Sequence, residues 1–126
     1  MALILVVEDD PDVLLLFQEV LADAGYKTDA AKTFCEAYVL LDLREYDLVL
    51  PDGRLPDGTG ITLADKARSR GIPALIVTGY LPWLCDHNPK FDVSAYRVLQ
   101  KPVRPSVLLA EVNNAIVANV ASDATR

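Results

Sequence analysis

Short unbroken apolar runs alternate along this chain with longer stretches in which apolar residues recur every three or four positions. Leu3-Ile4-Leu5-Val6-Val7 is rich in branched side chains and continuously apolar, as expected of a strand covered on both faces. Asp10 and Pro11 then supply an N-cap and a first helical residue. Val13, Leu14, Phe17, Val20, Leu21 and Ala24 follow at helical spacing up to Gly25, a natural stop. A more polar strand is expected over Tyr26 to Ala30, then a helix capped by Thr33 and carrying Phe34, Ala37, Tyr38, Leu40 and Leu41. Tyr46 to Leu50 predicts a third strand, and Asp52 to Gly60 is too rich in Gly, Pro and Asp to be anything but loop. Helix resumes near Ile61 and runs to Ser69 or Arg70, closed by Gly71, and Pro73 to Val77 predicts strand four. Pro82 and Pro89 leave room only for a short or distorted helix around Trp83 to His87. Tyr96 to Gln100 predicts strand five, Arg104-Pro105-Ser106 opens a last helix, and Asn119 to Arg126 reads as a frayed tail.

Five strands alternating with five helical segments predict an α/β doubly wound, five-stranded parallel sheet with helices on both faces and a fourth helix that is short or irregular. The 126 residues fit one domain, 1–126, with a core over about 3–118 and a flexible tail over 119–126. A net charge of −6 argues against a nucleic-acid surface, which needs clustered Lys and Arg. No apolar stretch approaches the ~20 residues that cross a bilayer. Met1 is followed by no basic segment or small-residue cleavage site, so the expected location is the cytoplasm. Cys35 and Cys85 lack metal-ligand spacing, and two free, buried thiols are expected there.

The chemistry gathers at strand ends. Four apolar runs each terminate in polar groups: Glu8-Asp9, Pro51-Asp52, Thr78, and Gln100-Lys101-Pro102. Parallel strands bring all four to one sheet edge, where open α/β folds place their ligands. Adjacent anions at the end of a buried strand call for a positive partner, and a hard divalent cation such as Mg²⁺ suits an all-oxygen set. Asp9 and Asp52 are the expected direct ligands, with Glu8 acting through a water. Asp52 can attack phosphorus to form an acyl phosphate once charge on the transferring oxygens is neutralised. Lys101 supplies a further positive charge and Thr78 a hydroxyl donor. The lone histidine, His87, lies in the irregular segment, which leaves no Ser-His or Cys-His nucleophile system.

Val6-Val7-Glu8-Asp9-Asp10, Tyr46-Asp47-Leu48-Val49-Leu50 leading to Asp52, Leu55-Pro56-Asp57-Gly58 with Gly60, Val77-Thr78-Gly79 and Lys101-Pro102 together resemble the receiver domains of two-component response regulators, in order and separation, over about residues 3 to 118. The resemblance implies a flavodoxin-like fold and a cytoplasmic, phospho-accepting signalling protein rather than an enzyme. A histidine kinase or histidine phosphotransfer protein would donate a phosphoryl group to Asp52 with Mg²⁺ bound. It also implies that the Arg54 backbone carbonyl joins Glu8, Asp9 and Asp52 around the metal. Thr78 and Lys101 would assist transfer, and a downstream protein target would read the result. The expected assembly is a monomer or weak homodimer, without direct nucleic-acid or membrane contact. Large residues at Arg54 and Tyr80 imply slow self-dephosphorylation.

Three features depart from the pattern. Val98 stands where receivers commonly carry a Tyr or Phe that swings on phosphorylation, leaving Tyr96 or Tyr80 as substitutes. Pro51 before Asp52 predicts a strand ending one residue early, with reorientation of the acceptor carboxylate as the alternative. Trp83 is expected to anchor the truncated helix in the core, with a partner contact as the alternative. Two rival functions follow: a pseudo-receiver that signals without phosphate, and an aspartate-nucleophile phosphohydrolase, against which Arg54 stands where a second acid–base aspartate is expected. The chain is consistent with a stand-alone regulator, a phosphorelay intermediate or a domain of a hybrid kinase. Leu15 and Leu16 are candidates for a docking surface on the first helix.

Overall fold

The computed structural model describes residues 2–124, with side chains for 2–120. Five main strands, β1 (Leu3–Val7), β2 (Lys27–Ala31), β3 (Leu48–Pro51), β4 (Leu75–Thr78) and β5 (Arg97–Gln100), alternate with helices α1 (Pro11–Asp23), α2 (Phe34–Leu43), α3 (Gly60–Ser69), α4 (Leu81–His87) and α5 (Pro105–Ala124). Parallel pairing joins β2 to β1, β1 to β3, and β4 to β5. Parallel bridges Val49–Ala74 and Asp52–Val77 connect β3 to β4. The resulting order 2-1-3-4-5 is the flavodoxin-like arrangement, and its strand order reverses between β1 and β3.

The apolar strands bury both faces. Ile4 and Val6 of β1, with Leu48, Leu50, Leu75 and Val77, pack against Leu14, Phe17 and Leu21 of α1 and Leu108, Val112 and Ala115 of α5. The alternate residues Leu5, Val7 and Val49 pack against Ala37 and Leu41 of α2 and Leu63 and Ala67 of α3. Period-two alternation thus exists in space although the letters of β1 show none. Asp10 and Thr33 cap α1 and α2 as their positions predict, each side chain accepting from amides in the first turn.

Pro51 lies inside β3, in register with Val7, so the expected early end of the strand is corrected. The Asp52 amide continues the ladder by donating to the Val7 carbonyl at 2.8 Å. On the β4 side, Val49 N–H donates to Pro73 O and Gly53 N–H to Val77 O. The rung midway between them belongs to residue 51 and the Leu75 carbonyl, and proline has no N–H to give. The seam between β3 and β4 is reduced to separate bridges for that reason.

Other sequence readings also shift. Where a frayed tail was expected from Asn119, α5 continues through Ala124, since the stretch Asn119 to Ala124 holds neither Gly nor Pro to stop it. Met1, Thr125 and Arg126 lie outside the described residues. Cys35 is exposed at the start of α2 rather than buried, and Cys85 is half-buried; both are free. No helix among the described residues is long and apolar enough to cross a membrane.

Candidate functional site

The carboxyl ends of β1, β3, β4 and β5 open onto a cleft of about 480 Å³ lined by Asp9, Asp52, Arg54, Thr78, Tyr80 and Lys101. Each group arrives by the same route: an apolar strand fixes the backbone, and the first polar residues beyond it emerge at the sheet edge. Glu8 and Thr78 are fully buried, Asp52 is nearly so and Asp9 is exposed. One carboxylate oxygen from each of Glu8, Asp9 and Asp52 lies within 4.8 Å of the other two. The Lys101 ammonium reaches across the sheet to donate to Glu8 Oε2 at 2.5 Å and to Asp52 Oδ2 at 3.1 Å. Its backbone amide donates to the Thr78 carbonyl at 2.8 Å, tying the ends of β4 and β5 together, and the following Lys101–Pro102 peptide is cis.

Three carboxyl groups share one ammonium in a partly buried pocket, so acidic groups outnumber the cation that faces them. Burial pushes the Glu8 carboxyl up to about 7, the hydrogen bond from Lys101 opposes that rise, and the nearby Asp52 charge adds to it. Burial disfavours the charge on Lys101, yet the bond to Glu8 and the charge of Asp52 outweigh it and raise the Lys101 pKa. One ammonium shared between two acids secures its own charge without fully relieving theirs. The residual negative charge and the all-oxygen donors fit a hard divalent cation.

The segment after Asp52, expected to be loop throughout, instead forms a short antiparallel hairpin in which Arg54 pairs with Thr59 and Leu55 with Gly58, and it is held by contacts that its letters do not advertise. The Arg54 amide donates to Asp52 Oδ1 at 3.2 Å, closing a turn over the carboxylate. A Cβ on Gly53 would sit 2.9 Å from Thr78 Oγ1, and one on Gly60 would collide with the Asp52 carbonyl. Glycine is required at both places by close approach. Asp57 accepts from the Phe34 and Cys35 amides at 2.7 and 3.0 Å, anchoring the loop to the start of α2. These bonds hold its carboxyl below the usual range. Asp-Gly-Thr-Gly reads as a generic turn, and only its joint occurrence with Asp52 could have signalled these roles.

The departures resolve individually. Val98 packs with Trp83, Phe91 and Tyr96 around Ile61, Ala64, Ile76 and Leu84. Tyr96 is tied to α3, its hydroxyl donating to Asp65 at 2.7 Å, so it is not available beside Thr78. Tyr80 is exposed at the cleft, its amide donating to Thr78 Oγ1 at 3.2 Å. Trp83 is half-buried, as the anchor reading expects, but it also carries the Arg54 guanidinium 4.8 Å above its ring and stacks on His87 at 4.3 Å. Leu15 and Leu16 are exposed on α1.

The family model described as the response regulator receiver domain matches residues 4–113. Among curated relatives, the transcriptional regulatory protein PmrA of Pectobacterium parmentieri is 35% identical over 125 residues, covering 94% of this chain and 54% of that protein. The chain spans between 18% and 56% of the length of such relatives. Among solved structures, a CheY-like receiver domain protein from Methanospirillum hungatei superposes with a TM-score of 0.82 at 26% identity, covering 97% of this chain and 98% of that one. The receiver domain of a sensor histidine kinase from Pseudomonas aeruginosa, described as having a magnesium ion coordinated in its active site cleft, shares the fold with a TM-score of 0.76 at 24% identity, covering 91% and 97%.

Proposed function

Since the chain belongs to the response regulator receiver domain family, we propose that Asp52 accepts a phosphoryl group from the phosphohistidine of a histidine kinase or histidine phosphotransfer protein. The observation that carries this reading is the Lys101 ammonium bridging Glu8 and Asp52 beside Asp9, three acids and one amine gathered from three strand ends. An Asp52 carboxylate oxygen attacks phosphorus, the P–N bond of the donor breaks, and its electron pair remains on the imidazole nitrogen. No proton need leave Asp52. Lys101 and the Thr78 hydroxyl donate to the phosphoryl oxygens as negative charge builds there. Asp9, Asp52 and the Arg54 backbone carbonyl would hold Mg²⁺, with Glu8 acting through a water. When bound, the metal neutralises charge on the transferring oxygens.

Arg54 and Tyr80 stand at the cleft mouth and keep self-dephosphorylation slow, so the product persists long enough for a downstream protein to bind. The surface that changes is that of α4 and β5, reached from Thr78 through the Tyr80 amide. With a valine at 98 and Tyr96 tied to Asp65, no aromatic ring at these positions follows Thr78 inward. That observation favours a second reading, a pseudo-receiver that signals by contact without phosphate. Incubation with Mg²⁺ and a small acyl-phosphate donor separates the two by intact mass. The proposal expects one phosphoryl group on the wild type, none without metal and none on Asp52→Asn. An unmodified wild type with metal present would overturn it.

A further inference from the structure

Resting on the reading of Asp52 as a phosphoryl acceptor, we infer that Trp83 is a positioning residue for this site: its indole face holds the Arg54 guanidinium at the cleft mouth, and the pair limits loss of the phosphoryl group to water. Arg54 is exposed, and a free arginine of that kind samples many rotamers. Here its guanidinium carbon lies 4.8 Å from the centroid of the Trp83 ring, within cation–π range. The ring itself is held in place, because Trp83 packs against the buried cluster of Ile61, Ala64, Ile76 and Leu84. At its other end Arg54 is fixed by its amide, which donates to Asp52 Oδ1. One residue therefore touches the acceptor through its backbone and α4 through its side chain.

The chemistry gives this placement a direction. Loss of phosphate requires a water oxygen to attack phosphorus opposite the bond to Asp52. The P–O bond then breaks, its electron pair returns to the carboxylate, and the water gives up a proton. A guanidinium carries five donors and no acceptor, so it cannot take that proton. Its bulk and its donors occupy the mouth of the cleft and obstruct the approach of water. Removing the indole frees the guanidinium to leave, which should raise the rate of loss roughly two- to fivefold, the scale of a partly exposed cation–π contact.

The test is the first-order decay of phosphorylated protein, followed by intact mass after removal of the acyl-phosphate donor, for the wild type, Trp83→Leu, Trp83→Phe, Arg54→Ala and the Trp83→Leu/Arg54→Ala double variant. The inference expects faster decay for Trp83→Leu and Arg54→Ala, near wild-type decay for Trp83→Phe, which keeps a π face, and a double variant no faster than Arg54→Ala alone. Unchanged decay in Trp83→Leu, or the same acceleration with and without Arg54, would overturn it, the latter marking an effect of packing alone. Should Trp83→Leu fail to fold, Trp83→Phe and Arg54→Ala still decide: wild-type decay in Arg54→Ala rejects the inference. Failure of the wild type to accept phosphate would reject the underlying reading instead, and the inference with it.

Discussion

Glu8→Gln isolates the electrostatics of the cleft, because it removes a buried charge while keeping the side chain's shape. Glu8 is 2% exposed, and its cationic partner among the described residues, Lys101, is shared with Asp52. Burial, opposed by Lys101 and reinforced by Asp52, raises its pKa from 4.5 to about 7 in the metal-free protein. Between those values the folded state holds a proton that the unfolded chain releases, so the stability contributed by protonated Glu8 is full below 4.5 and gone once pH has risen through about 7. A rise of that size corresponds to roughly 3 kcal/mol. Urea unfolding in EDTA at pH 4.5 and pH 8 should therefore show Glu8→Gln gaining about 3 kcal/mol on the wild type as pH rises. Added Mg²⁺ at a hundred times its dissociation constant should return about 2.7 kcal/mol to the wild type at pH 8, and its affinity should weaken as pH falls below about 7. A variant-minus-wild-type difference that stays constant across this range would refute the reasoning.

Three further substitutions probe the frame around the site. Gly60→Ala places a methyl group on the Asp52 carbonyl and should destabilise the fold by about 1–3 kcal/mol in urea titrations. Asp57→Ala removes the carboxylate that accepts the Phe34 and Cys35 amides. It should lower the melting temperature at neutral pH, with the deficit shrinking as acid protonates Asp57 in the wild type and the native bonds are lost there too. Pro51→Val supplies the missing donor opposite the Leu75 carbonyl. The added hydrogen bond, about 1 kcal/mol, is largely offset by a looser unfolded chain, so the expected sign is a slowly exchanging amide at residue 51 with little change in stability.

Much of the fold was legible because it rests on local signals. The apolar runs, the caps at Asp10 and Thr33, and the stops at Gly25 and Gly71 are each written within a few residues. The convergence of Glu8, Asp9, Asp52, Thr78 and Lys101 followed from topology alone, since parallel winding sends every strand end to one edge. What escaped was tertiary. The division of β1 between two cores is invisible where every residue is apolar. Pro51 was expected to end β3, yet pairing with Val7 of β1 keeps it in register, and on the other side the seam with β4 is left as bridges at Val49 and Asp52. The Arg54–Trp83 contact and the bonds from Asp57 to α2 join distant segments that no periodicity links.

Borohydride reduction followed by peptide mass spectrometry tests most directly whether Asp52 is the residue that accepts the phosphoryl group. An aspartyl phosphate is reduced to homoserine, so protein treated with Mg²⁺ and an acyl-phosphate donor should carry homoserine at position 52 and aspartate at position 9. Homoserine at another acidic position, or at none, would contradict it.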